Sequence, residues 1–132
     1  MSKATKTTPM IDARKIVEEC VEFARRNGAL TSQVVQRDQT NRWTARLLFI
    51  HSVCYCPHSR LSENHTKPAY MLDISLAGVG LWCCEALGEG TVVHVRLPLL
   101  DGNSAWMEGS VVYCHRKVGH YRVGVTFVFE QE

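Results

Sequence analysis

The sequence predicts a mainly β protein, a six-stranded antiparallel β-barrel with one N-terminal α-helix. One segment near the N-terminus has the apolar spacing of a helix, and the chain after residue 47 keeps the two-residue period of strands. The segments between those strands are short and rich in turn residues, so they leave no room for crossover helices. Closure into a barrel is expected because it removes the exposed edges of a sheet.

The helix is predicted over residues 9–27. Thr8 and Pro9 suit the N-cap and the first helical position, and Asn27-Gly28 suits the end of the helix. Between them, apolar residues follow one helical face and charged residues the other. We therefore expect three parts: a disordered N-terminal tail at 1–8, the helix with its connector at 9–39, and a β-barrel domain at 40–132.

Six strands are predicted in close succession: 47–56, 69–74, 78–85, 91–99, 105–116 and 121–129. The fourth strand alternates most clearly, with Val93, Val95 and Leu97 on one face. The turn residues DGNS at 101–104 and KVGH at 117–120 separate the last three strands. This order favours a meandering antiparallel sheet.

Composition excludes several classes of function. The formal net charge of +2 is too weak for a protein that coats DNA, so we expect no DNA partner. No apolar run approaches the roughly 18 residues of a membrane span, and the polar start shows no secretory signal. We therefore expect a cytoplasmic protein without membrane insertion, whose six cysteines are free thiols.

Two polar motifs stand at the ends of predicted strands. RWTAR places Arg42 and Arg46 ahead of the first barrel strand, and DISLAG places Asp73, Ser75 and Gly78 after the second. This pattern, RxxxR followed by DxSxxG, resembles that of the PilZ domain, and the closing YRVGVTFVF is similar to the last strand of that family. The resemblance covers roughly residues 40 to 129.

PilZ domains are known as receptors for the bacterial second messenger cyclic di-GMP. The resemblance implies that Arg42 and Arg46 contact guanine edges and phosphates, since a guanidinium meets the paired acceptors O6 and N7 of guanine. It further implies that Asp73 accepts from the base and that the RxxxR segment is a mobile arm that folds over the ligand. The full implied set is Arg42, Trp43, Arg46, Asp73, Ser75, Gly78 and Gly80, with Trp43 able to stack on a purine and the glycines allowing close approach.

Three alternatives remain open from the sequence. A metal could be held by thiolates and imidazoles of CYCPH at 54–58, Cys83-Cys84 and Cys114-His115, although Cys54 and Cys56 also suit one core face. A Cys-His pair could catalyse, but no nucleophile motif is present and neither an enzyme nor a cofactor is expected.

Some PilZ-like domains act as protein adaptors without nucleotide. In either receptor or adaptor, a downstream protein partner is expected, with the helix and the loop 57–68 as candidate surfaces.

Overall fold

The computed structural model describes residues 12–37, 43–58 and 63–129, and the following account concerns these residues. A short 3-10 helix (Glu63–His65) lies before the third of seven strands. The α-helix and the strands are α1 (Ala13–Arg26), β1 (Leu30–Arg37), β2 (Trp43–Cys56), β3 (Lys67–Ile74), β4 (Gly78–Cys83), β5 (Val92–Pro98), β6 (Ser104–Lys117) and β7 (His120–Phe127).

The strands form one antiparallel sheet that closes on itself. Its order is β1-β2-β3-β4-β7-β6-β5, and β5 pairs again with the end of β2, where Cys54 lies opposite Arg96 and Cys56 opposite His94. Strands β2 to β7 therefore make a closed six-stranded barrel. The predicted fold class is confirmed, with one helix packed on the barrel.

β1 lies outside the closed ring, in the segment that was predicted to be a connector. It pairs with the first half of β2, with Leu30 opposite Leu48 and Arg37 opposite Trp43. Because these backbone groups are paired, β2 extends back to Trp43, four residues before the predicted start at Leu47. Polar side chains in TSQVVQR weakened the alternation from which a strand is recognised.

The helix begins later than predicted. Asp12 is the N-cap, and its carboxylate accepts a hydrogen bond from the backbone N–H of Arg14. The predicted cap at Thr8 lies outside the described residues. At the other end the prediction is confirmed, since Asn27 is the C-cap and Gly28 follows with a φ of 95° that glycine adopts without steric cost.

The core lies inside the barrel and beneath α1. The predicted inward face of β5 is confirmed, because Val93, Val95 and Leu97 have no exposed surface. The helix contributes its own buried stripe, Ile16, Val17, Cys20, Val21 and Ala24. Burial of each large apolar side chain contributes about 1.5–3 kcal/mol relative to exposure. The helix is therefore a structural part of the domain.

Candidate functional site

The predicted site residue Asp73 lies near the end of β3, in a row that crosses the barrel wall. Its register neighbours are Leu48 on β2 and Gly80 on β4; Gly80 lies opposite Gly124 on β7, and Gly124 opposite Tyr113 on β6. The residues on either side of each of these glycines belong to the core. Since successive residues of a strand face opposite sides, the row lies on the outer face of the barrel.

The Asp73 carboxylate is held between two arginines. Arg122 donates from a terminal guanidinium nitrogen to Asp73 Oδ2 at 3.0 Å, and Arg46 Nε lies 3.7 Å from Oδ1. The Asp73 side chain is 3% exposed, while those of Arg46 and Arg122 are 24% and 37% exposed. Two cations thus surround one buried anion, which leaves a net positive charge at the surface that suits an anionic ligand.

Gly80 provides the space in which the Asp73 carboxylate lies. A Cβ at this position would stand 2.7 and 2.8 Å from the two carboxylate oxygens of Asp73. Real carbon atoms do not approach so closely, so any larger residue would displace the carboxylate. Gly80 therefore belongs to the site as a positioning residue.

Ser75 and Gly78 shape the turn that follows Asp73. The Ser75 hydroxyl accepts from the backbone N–H groups of Ala77 and Gly78 at 3.1 and 3.3 Å, and its own N–H donates to the Gly78 carbonyl. Ser75 is only 1% exposed. A Cβ on Gly78 would collide with the carbonyl oxygen of Val125 on β7. In the described structure this pair organises the backbone, and their contact with a ligand stays a prediction.

The RWTAR motif is only partly described. Arg42 lies outside the described residues, and of Trp43 only the backbone at the start of β2 is described. Arg46 was expected ahead of the first barrel strand, and that placement was wrong. It lies inside β2, between Ala45, which pairs with Val35 of β1, and Leu47, which pairs with β1 and β3. Pairing with the unpredicted strand β1 is the reason. The mobility implied for the RxxxR segment stays a prediction.

Arg122 was missed by the sequence analysis. It stands in YRVGVTF between Tyr121 and Val123, both of which pack in or against the core. Strand alternation therefore directs its side chain outward. The available signal was a cation at an outward position of the last strand. One sequence does not show that β7 pairs with β4, and β4 with β3, in the register that brings Arg122 to Asp73.

Aromatic residues lie opposite Arg122 on both neighbouring strands, Trp82 on β4 and His115 on β6. Tyr70 meets Trp82 edge-to-face at 5.8 Å, Trp82 stacks on His120 at 5.0 Å, and Tyr113 stacks on His115 at 4.8 Å. In the register, Trp82 lies directly opposite Arg122. A planar base is a suitable neighbour for such a surface, because aromatic faces stack on every nucleobase.

The metal alternative finds no support in the described residues. No group of three His, Cys, Asp or Glu side chains there is placed to hold a metal ion. The six cysteines are free, and burial raises the pKa of Cys20 and Cys83 to about 12. Of the two cysteines predicted on a core face, Cys56 is fully buried, but Cys54 is only half-buried, and Tyr55 between them is a buried core residue.

Comparisons with known proteins give the family. No curated protein gave a significant match. No helix in the described part of the chain is long and apolar enough to cross a membrane. The sequence model of the PilZ domain matches residues 36–132, a range that contains the whole closed barrel and both polar motifs. With the barrel closed and Asp73 set between two arginines on its outer wall, this match shows that the chain belongs to the PilZ domain family.

Proposed function

We propose that this protein is a receptor for cyclic di-GMP that signals through a protein partner. The observation that carries the proposal is the position of Asp73, buried between Arg46 and Arg122 on the outer wall of a PilZ barrel. Cyclic di-GMP combines two guanines with two phosphates. It therefore presents both of the acceptor groups that arginine binds in bidentate geometry.

The proposed binding step is an exchange of partners. A phosphate or the O6 and N7 edge of guanine takes over the guanidinium groups of Arg46 and Arg122, which relaxes their hold on Asp73. The freed carboxylate of Asp73 then accepts from guanine N1–H and the exocyclic amine. Arg42 and Trp43 are proposed to complete the site, with Arg42 on phosphate or guanine and Trp43, the first residue of β2, stacked on a purine.

The remaining motif residues have supporting roles in this proposal. Ser75 and Gly78 hold the turn, and Gly80 leaves room for the carboxylate. Neither a catalytic group nor a cofactor is invoked, because the ligand is bound and released unchanged. The signal is proposed to leave through a surface next to α1 or the loop 57–68, where hydrogen exchange should change when ligand is added. Unchanged exchange in both segments would reject that route.

The proposal is tested by isothermal titration of the full chain with cyclic di-GMP, with GTP as the comparison ligand. We expect saturable binding of cyclic di-GMP alone. Arg46→Ala should weaken it by about 1–3 kcal/mol, since one bidentate contact is lost. Arg25→Ala is the matched control, because it removes an exposed arginine from α1. Equal loss in both variants, or no binding by the wild type, would contradict the receptor proposal.

A second candidate is a PilZ adaptor that binds a partner without nucleotide. One observation favours it: Asp73 and Ser75 are already satisfied within the protein, Asp73 by two arginines and Ser75 by its own turn. In an adaptor, Asp73 and Ser75 would stabilise the barrel and would have no role in nucleotide binding. Titration without heat at high ligand concentration, with a stably folded protein, would select the adaptor.

A further inference from the structure

The hairpin of β6 and β7 concentrates positive charge. Residues 109–129 contain Arg116, Lys117 and Arg122 and no aspartate or glutamate. The whole chain carries a formal net charge of only +2, from 15 basic and 13 acidic residues. This stretch of the hairpin therefore carries three cations and no acidic residue of its own.

Two of these cations are available to a partner. Arg116 and Lys117 lie at the distal end of β6, both are exposed, and neither forms an ion pair with any residue of the described ranges. Arg122 differs, because it is bound to Asp73. Since neither has a counter-charge among the described residues, an anionic partner would supply one.

The same end of the hairpin exposes apolar surface. Val118 at the turn is 99% exposed, between Lys117 and Gly119. An open groove of about 710 Å³ runs beside it, lined by Cys84 and Tyr121 as well as by Arg116 and Lys117. The groove thus offers apolar contact on its walls and positive charge on its rim.

The hairpin is held in place by packing on the barrel wall. His120, which also lines the groove, stacks on Trp82 with ring centroids 5.0 Å apart and planes 15° apart. One His120 ring nitrogen lies 3.1 Å from the carbonyl oxygen of Val118, within the turn. A groove that is formed before the partner arrives lowers the ordering cost of binding.

We propose that this groove, defined by Cys84, Arg116, Lys117, Val118, His120 and Tyr121, binds an extended acidic segment of a partner protein. Acidic side chains would pair with Arg116 and Lys117, and an apolar side chain would lie against Val118 and Tyr121. An open groove that combines apolar walls with two cations fits an extended peptide better than the plane of a membrane or the uniform backbone of a nucleic acid. The inference does not depend on nucleotide binding.

The test is selection of a random displayed peptide library on the immobilised full chain, followed by fluorescence polarisation with the enriched peptides. We expect enriched peptides with net negative charge and at least one apolar side chain. The double variant R116A/K117A should weaken their binding by about tenfold or more. K15A/R25A is the matched control, because it removes the same charge from the exposed face of α1, and it should bind as the wild type does.

Several outcomes would overturn the proposal. Failure to enrich any peptide, enrichment of neutral or basic peptides, or equal binding by R116A/K117A would each do so. Vesicles of phosphatidylglycerol with phosphatidylcholine and a single-stranded oligonucleotide are measured with the same variants. If either bound more tightly than the peptides, and through Arg116 and Lys117, the groove would be a lipid or nucleic-acid surface instead.

Discussion

At the scale of single residues, Asp73 is the charged side chain that is buried in the described part of the chain. A buried charge is tolerated only when partners replace the water it has lost. Arg122 supplies the shorter contact, 3.0 Å to Oδ2, and Arg46 the longer one, 3.7 Å to Oδ1. The two arginines therefore differ in what their removal should do to the fold.

Arg122→Ala should lower the free energy of unfolding by about 1–3 kcal/mol, because it leaves the buried Asp73 carboxylate with its more distant partner alone. The measurement is urea unfolding followed by fluorescence. Arg116→Ala is the control, since Arg116 is exposed and lies on the same hairpin. If the two variants were equally stable, the Arg122–Asp73 contact would have no net effect on folding.

Gly80→Ala should also destabilise the protein, by about 1–3 kcal/mol, because the new methyl group overlaps the space of the Asp73 carboxylate. Gly88→Ala is the matched substitution: its Cβ would meet only the Thr91 hydroxyl, at 3.4 Å. Thermal unfolding of both variants measures the difference. A Gly80→Ala protein as stable as Gly88→Ala would show that the carboxylate moves aside without cost.

At the scale of secondary structure, α1 completes the core. The helix packs against strands β2, β3, β5 and β6 of the barrel. Phe23 adds to the contact with β2, where its ring and that of Phe49 meet edge-to-face with centroids 5.9 Å apart. The helix is short enough that packing, rather than propensity, holds it in place.

Val17→Ala should therefore destabilise the whole domain. Val17 is 1% exposed, and removal of its two methyl groups leaves a cavity between α1 and the barrel. We expect a loss of about 1–3 kcal/mol in a single cooperative transition. Glu18→Ala, at the adjacent exposed position, should stay within about 0.5 kcal/mol of the wild type. Separate transitions for helix and barrel in circular dichroism would mean that α1 is a detachable element.

The strands of the barrel were predictable because burial imposes alternation on the sequence. Along β5, buried Val93, Val95 and Leu97 alternate with residues that are less buried, and all three face the core. β1 was harder to recognise, because it pairs with β2 alone and carries a polar sequence. The start of β2 was predicted four residues too late, at Leu47 instead of Trp43, for the same reason. Where pairing with a neighbour defines a strand, its own sequence holds little of the signal.

The candidate site was predictable only in part. Asp73 and Arg46 were named from motifs, and the structure brings their side chains together. Arg122 was not named, because its place beside Asp73 depends on two consecutive strand pairings, β3 with β4 and β4 with β7. The supporting role of Gly80 also became clear only from the distance between its backbone and a carboxylate.

At the scale of the whole molecule, a second ionic cluster joins three parts of the barrel. Glu85, just after β4, accepts from the Tyr55 hydroxyl of β2 and from the Lys67 ammonium of β3. Burial raises the pKa of Tyr55, so this hydroxyl stays a donor at neutral pH. Partial burial opposes ionisation of Glu85, but the hydrogen bonds from Tyr55 and Lys67 outweigh it and hold the pKa of Glu85 below 4.5.

This cluster predicts how stability depends on acidity. A carboxylate whose pKa is lower in the folded state stabilises the fold above its unfolded pKa and loses that effect as the pH falls through the folded value. Glu85→Gln should therefore be less stable than the wild type near neutral pH. The difference should shrink as the pH falls through the usual pKa of a glutamate and vanish once the pH lies below the lowered pKa of Glu85.

The measurement is urea unfolding of the wild type, Glu85→Gln and Glu89→Gln at a series of pH values. Glu89→Gln removes the same charge from an exposed position close by, so it corrects for the change in net charge. A difference between wild type and Glu85→Gln that persisted at low pH would assign the effect to the shape of the side chain rather than to its charge. A difference that faded on acidification, absent from Glu89→Gln, would show that an ionised carboxylate links β2, β3 and β4.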